Sequence, residues 1–189
     1  MMKSALRIAA IGVAAVLAAC AHEAPTLRPV AQVDLPRFMG DWYVIAHIPS
    51  RPERHAYNAV ESYALDEQGR VRTTFRFRNK GFDAPLETME PVGYVRPGTG
   101  NAVWGMQFVW PIKAEYLIAY VDNDYRTTII GRSKRDYAWI MARSPSVSDQ
   151  EYAQLLERLK AMGYALEGVR RVPQQWPEAR RDRPSLPKR

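Results

Sequence analysis

Residues 71–78 alternate without a break, with Val71, Thr73, Phe75 and Phe77 on one side and Arg72, Thr74, Arg76 and Arg78 on the other. Successive side chains of a strand point to opposite faces, so this is a strand with one face buried and one wet. Similar segments recur about every dozen residues, separated by turn chemistry, which predicts an up-and-down antiparallel barrel or a sandwich. The expected strands are 41–48, 58–65, 71–78, 88–95, 102–109, 115–121, 125–132 and 137–143. Asp66-Glu67-Gln68-Gly69, Pro97-Gly98-Thr99-Gly100-Asn101 and Asp122-Asn123-Asp124 supply turns between them. One helix follows. Ser148 and Glu151 have capping-box spacing, Tyr152, Leu155, Leu156 and Leu159 form an apolar stripe, and Gly163 is placed to end it. Such a stripe must pack on the outside of the sheet.

Three short motifs sit on this frame. Gly40-Asp41-Trp42-Tyr43 opens the first strand, Asp122 to Tyr125 begins 80 residues after Trp42, and Arg143 stands 101 residues after it. Their order and spacing resemble the lipocalins, and the bacterial outer-membrane lipoprotein branch most of all. The resemblance covers residues from about 33 to 176. It implies an all-β fold: an eight-stranded antiparallel up-and-down barrel with one C-terminal α-helix outside, enclosing one hydrophobic ligand. It also implies that Gly40, Trp42, Asp122, Tyr125 and Arg143 are structural. The indole plugs the closed end and the guanidinium stacks across it, a cation–π contact of about 0.5–2 kcal/mol.

Strand parity then places function at the opposite end, where the loops 49–57, 79–87, 110–114 and 133–136 meet. These loops carry more basic than acidic residues, which suits an amphiphile with an anionic head. Arg51, Arg54, Phe82 and Trp110 are the expected mouth residues. Alternation assigns the cavity wall to Val44, Ala46 and Ile48, to Phe75 and Phe77, to Trp104, Met106 and Phe108, to Tyr116, and to Trp139 and Met141. Bulky rings leave room for one narrow ligand, since eight-stranded barrels hold either packed side chains or a single small molecule. Strand two is less settled: placing Tyr63 inside brings Glu61 in as well, and a buried carboxylate needs a partner. The sixth strand is apolar on both faces, so either Tyr116, Ile118 and Tyr120 or Leu117 and Ala119 can point inward.

The ends of the chain concern location. Lys3 and Arg7 precede an uncharged apolar run, 8–19, that is too short to span a bilayer and matches a secretory signal. Leu17-Ala18-Ala19-Cys20 resembles a lipobox, so residues 1–19 are expected to be removed and Cys20 acylated. Ala21 resembles the sorting pattern for the outer membrane, with the protein facing the periplasm. Pro25, Pro29 and Pro36 make 20–37 a stiff tether with a reach on the order of 50 Å, leaving from the closed end. The barrel and helix occupy 38–176, and 177–189 form a basic tail expected to be disordered. The net charge of +7 is largely terminal: removing Lys3 and Arg7 leaves +5, of which the tail holds +3.

Cys20 is the sole cysteine, which excludes disulfides and Cys-based metal sites; no metal or cofactor is expected. His22, His47 and His55 are not spaced to build a triad, and His47 is assigned to the outer face of its strand. No Gly-rich phosphate loop occurs, so an enzyme is not expected. Nucleic acid is excluded because basic residues are not interleaved with a stacking surface. The expected function is storage or transport of a fatty acid or lysophospholipid in the cell envelope. The alternative is an envelope protein that contacts a protein partner through its loops or tail. Whether two copies pair as a homodimer is left open.

Overall fold

The computed structural model describes residues 26–178. The expected signal segment 1–19, Cys20 and tail residues 179–189 lie outside the described residues. The strands are β1 (Gly40–Ile48), β2 (Ala56–Leu65), β3 (Val71–Asn79), β4 (Leu86–Met89), β5 (Val92–Val95), β6 (Val103–Val109), β7 (Ile112–Val121), β8 (Thr127–Gly131), β9 (Ala138–Ala142) and β10 (Arg170–Arg171). Each is antiparallel to its neighbours, and β1 pairs β9 as well as β2, so the sheet closes. The barrel is eight-stranded because β4 and β5 share one position. The single strand expected over 88–95 is broken at Glu90-Pro91, where proline has no N–H to give the ladder. β5 bonds both β3 and β6, whereas β4 bonds β3 alone.

Inside the barrel, Trp42, Phe38, Trp104, Tyr63 and Tyr116 form an aromatic plug within an apolar cluster drawn from β1 to β9. Outside it, α2 (Asp149–Ala161) buries Leu155 and Leu159 against Ile45, Ala46, Ile129 and Ile140. The Ser148 hydroxyl accepts the Glu151 amide at 3.2 Å, and Gly163, at φ +86°, ends the helix as its spacing predicts.

Bulges overturn part of the expected parity. In β1 the register shifts between Val44 and Ala46. Val44 stays inside with Trp42, but Ala46 and Ile48 move to the helix side with Ile45, and neither reaches the interior. His47, expected outside, turns inward and is 1% exposed. An extra residue in one strand reverses every face beyond it. A second shift lies between Ile118 and Tyr120 in β7, so Tyr116 and Ile118 point in while Leu117 and Tyr120 point to the helix. Neither set expected for that strand is correct as a whole.

Both ends of the described chain, 27–38 and 170–178, are bound to the barrel. The free tether expected over 20–37 is corrected from Leu27 onward: Leu27, Val33 and Phe38 are buried. The Val30 amide donates to the Ile118 carbonyl at 2.9 Å, and that of Val33 to Gly100 at 2.7 Å, before α1 (Leu35–Phe38) enters beneath Trp42. The segment starts next to Gly131, whose space it shares with Tyr164, and runs down to the closed end. The chain therefore joins the barrel near the mouth, not near the closed end. At the other terminus, β1 and β2 pair directly only along Gly40–Tyr43. Past that point the C-terminal residues fill the gap. β10 pairs Ala46 and His47, and Gln174 donates to the carbonyls of Val44 and Ala59 at 2.9 and 3.2 Å. Glu178, expected in the tail, pairs with Arg78 at 3.2 Å and accepts from Asn58.

Gly100 tests the N-terminal clamp. At φ +57° a side chain is strained, and a Cβ there would overlap the Ala31 carbonyl oxygen. Gly100→Ala is expected to cost about 1–3 kcal/mol. It should also release the Val33 amide, read as faster hydrogen exchange at residues 30–34 while the β7–β8 amides keep their protection.

Candidate ligand-binding site

The closed end is built first. Trp42 is fully buried, donates its indole N–H to the Phe38 carbonyl at 2.8 Å, and packs 5.0 Å from the Phe38 ring. The Arg143 guanidinium lies 3.8 Å over its face and donates to the carbonyls of Asp41, Arg37 and Tyr125. Gly40, at φ +92°, leaves room for that guanidinium, which a Cβ would approach to 3.4 Å. Asp122 accepts the amides of Arg126 and Thr127, and the Tyr125 hydroxyl accepts the Asp34 amide. The three motifs thus converge on one end, where backbone carbonyls hold the guanidinium over the ring.

Above the plug a cavity of about 390 Å³ fills the upper half of the barrel, within the range typical of small-ligand sites. Of the residues assigned to the wall by alternation, Phe75, Met106, Phe108, Tyr116 and Trp139 line it. Val44, Phe77, Trp104 and Met141 point inward but are packed in the core: Phe77 stacks on Phe75 at 5.0 Å, and Trp104 lies parallel to Tyr116 at 5.0 Å. Ala46 and Ile48 are outside, as the β1 bulge requires. At the mouth, Arg51 and Arg54 are exposed on the β1–β2 loop, Phe82 packs edge-on against Tyr57 at 5.0 Å, and Trp110 stands out at the hairpin tip. None of these four lines the cavity. Met89, Pro91, Thr73, Ala114, Tyr137 and Arg132 do, and the expected wall omitted them. Met89 and Pro91 were hidden by the β4–β5 break; Thr73 shares the face of Phe75 and was legible.

The polar content differs from expectation. Glu53, Glu61 and Glu115 all line the cavity, against Arg132 as the lone basic residue, which pairs with Asp136 at 3.3 Å. Glu61 has the partner that parity left unnamed. The Tyr63 hydroxyl donates to one carboxyl oxygen and meets the Tyr116 hydroxyl at 2.6 Å. Burial raises Glu61 to about 7, with the Tyr63 hydrogen bond opposing the shift and the Glu53 charge adding to it. Burial likewise raises both tyrosines well above their ordinary value. Burial alone would raise Glu53 as well. Instead the His47 imidazole at 3.7 Å, the Ser50 amide and the Trp139 indole N–H together hold it below the ordinary carboxylate range. Glu53 is thus held toward its ionised form and Glu61 pushed toward its neutral one, eight residues apart in the sequence.

Against known proteins, a family model described as a lipocalin-like domain matches residues 33–174. The outer membrane lipoprotein Blc of Citrobacter freundii is 28% identical over 154 residues, spanning 79% of this chain and 85% of that protein. Temperature-induced lipocalin-1 of Arabidopsis thaliana is 27% identical over 164 residues, with 80% and 85% covered. Among solved structures, insecticyanin from the tobacco hornworm Manduca sexta superposes with a TM-score of 0.64 at 17% identity, covering 82% of this chain and 88% of that one. Lobster apocrustacyanin A1 gives 0.59 at 14% identity, covering 75% and 80%.

Proposed function

This chain belongs to the lipocalin-like family, and from that premise we propose that it is a carrier, without enzymatic activity, for one acyl-chain amphiphile: a fatty acid or lysophospholipid. The observation that supports this reading most is the apolar cavity above the aromatic plug, bounded by Phe75, Met106, Phe108, Tyr116 and Trp139. The acidic lining sets the orientation. An anionic head inside would meet the ionised Glu53 in a low-dielectric pocket, so the tail enters and the head stays outside, within reach of Arg51 and Arg54. Burying about twelve methylenes is worth ~10 kcal/mol. Less an association cost of ~4 kcal/mol, this leaves a Kd in the range of tens of micromolar.

The location is part of the same proposal. Cys20 is read as the acylated N-terminus of an outer-membrane lipoprotein facing the periplasm, in keeping with the relatives named as outer membrane lipoproteins. The test uses a chain beginning at Ala21, which keeps every described residue. Organic extraction and mass spectrometry of the purified protein should return acyl lipid in near-equimolar amount. Protein that carries none and whose tryptophan emission ignores added fatty acid or lysolipid would remove the proposal.

Ala114 gives the matching variant. It is half-buried on the cavity wall, so an indole placed there occupies space that the ligand needs. Ala114→Trp is expected to weaken fatty-acid binding roughly a hundredfold, the loss of several buried methylenes. Its unfolding midpoint should stay close to that of the unaltered protein.

A further inference from the structure

The β6–β7 hairpin ends in a run of apolar side chains that nothing covers. Phe108 is 57% exposed, Val109 68%, Trp110 82% and Ile112 70%. Single exposed apolar residues are ordinary, but four together at one tip mark a contact surface. The tip also stands clear of the barrel. β5 stops pairing with β6 at Gln107, β4 bonds only β3, and β8 stops pairing with β7 at Leu117. On that side Ser133 last bonds β7 at Glu115, so three residues of β7 run past it, carrying the tip roughly 10 Å along the strand.

Two further facts say what the tip faces. The N-terminal segment joins the barrel beside Gly131, at this same end, with Leu27 packed there. Cys20 precedes Thr26 by six residues, a covalent reach of at most roughly 20 Å, so an anchor there holds this end of the barrel close to the membrane. The loops around the mouth also expose five basic side chains, Arg51 and Lys113 among them, against three acidic ones.

We infer that the mouth end of the barrel seats on an anionic lipid bilayer, with Phe108, Val109, Trp110 and Ile112 inserted at the headgroup level. An indole and aliphatic groups flanked by cations suit that depth. The short N-terminal reach holds the same end down, an argument that rests on the reading of Cys20 as the anchor; the exposed tip does not depend on it. A seated mouth lets an acyl chain pass between bilayer and cavity without crossing water.

The test again uses the chain beginning at Ala21, which cannot be acylated at Cys20. It is spun with vesicles of phosphatidylethanolamine and phosphatidylglycerol, and compared with a Trp110→Ser, Ile112→Ser double variant. The unaltered chain should sediment with the vesicles and show a blue-shifted emission component that the variant lacks, while the variant partitions at least about tenfold less. Both should bind free fatty acid equally, which separates this inference from the carrier reading. Equal partitioning of the two proteins would overturn it, as would no sedimentation of either. So would a double variant that dissociates a dimer with no change in vesicle binding, which would assign the tip to a second copy of the chain.

Discussion

Trp42→Ala should lose about 4–5 kcal/mol of unfolding free energy, most of what a domain of this size has to spare. Removing a fully buried indole opens a void among Phe38, Tyr63 and Trp104, strands the Phe38 carbonyl, and takes away the surface under Arg143. Each loss follows from a contact that no neighbour can replace, because α1 is only one turn long and docks through that ring. Trp42→Phe keeps much of the apolar volume and loses the N–H, so about 1–2 kcal/mol is expected. Urea unfolding followed by far-UV circular dichroism reads both. If the alanine variant unfolds within about 1 kcal/mol of the unaltered protein, the plug does not hold the barrel's closed end.

Glu61 should make the fold lose stability as pH rises through neutrality. In the unfolded chain its carboxyl titrates near 4.5; in the barrel it titrates near 7. Below 4.5 both states are protonated and the stabilisation is fully present. Between the two values the unfolded chain has released a proton that the folded one keeps, so rising pH favours unfolding. Above about 7 the folded protein carries a buried carboxylate, and the loss levels off at on the order of 3 kcal/mol. Glu61→Gln keeps an acceptor for the Tyr63 hydroxyl and cannot ionise. The variant should lie within about 1 kcal/mol of the unaltered protein at pH 5 and exceed it by on the order of 3 kcal/mol at pH 8. Glu53, held below its ordinary value, acts only in more acidic solution and leaves this window alone. Parallel stability curves from pH 5 to pH 8 would show that Glu61 is not held protonated by the fold.

The β3 alternation, the turn chemistry and the Trp42–Arg143 pairing carried the fold class, because period and caps are local and survive packing. What alternation could not carry was phase. Ile45 adds one residue to β1 without a mark in composition, and Ala46, His47 and Ile48 change sides as a result. Pro91 was a readable break, yet its effect on Met89 needed the neighbouring strands. Glu61 illustrates the other limit. Parity placed it inside, and only the fold could reveal that Tyr63 and Tyr116, 53 residues apart, share a hydrogen bond next to it. The cavity list read from the sequence mixed residues that bound the space with those that fill the barrel below it, since inward direction says nothing about height along the strand.

The path of residues 170–178 has a consequence for how the barrel is completed. The upper half of β1 takes its neighbour on one flank from β10 and Gln174, a partner 130 positions later than Val44. A polypeptide made from its N-terminus cannot complete that flank until residue 174 has been added, and loop closure over such a distance is slow. During synthesis the barrel therefore lacks one flank of β1 until residues 170–174 have been made.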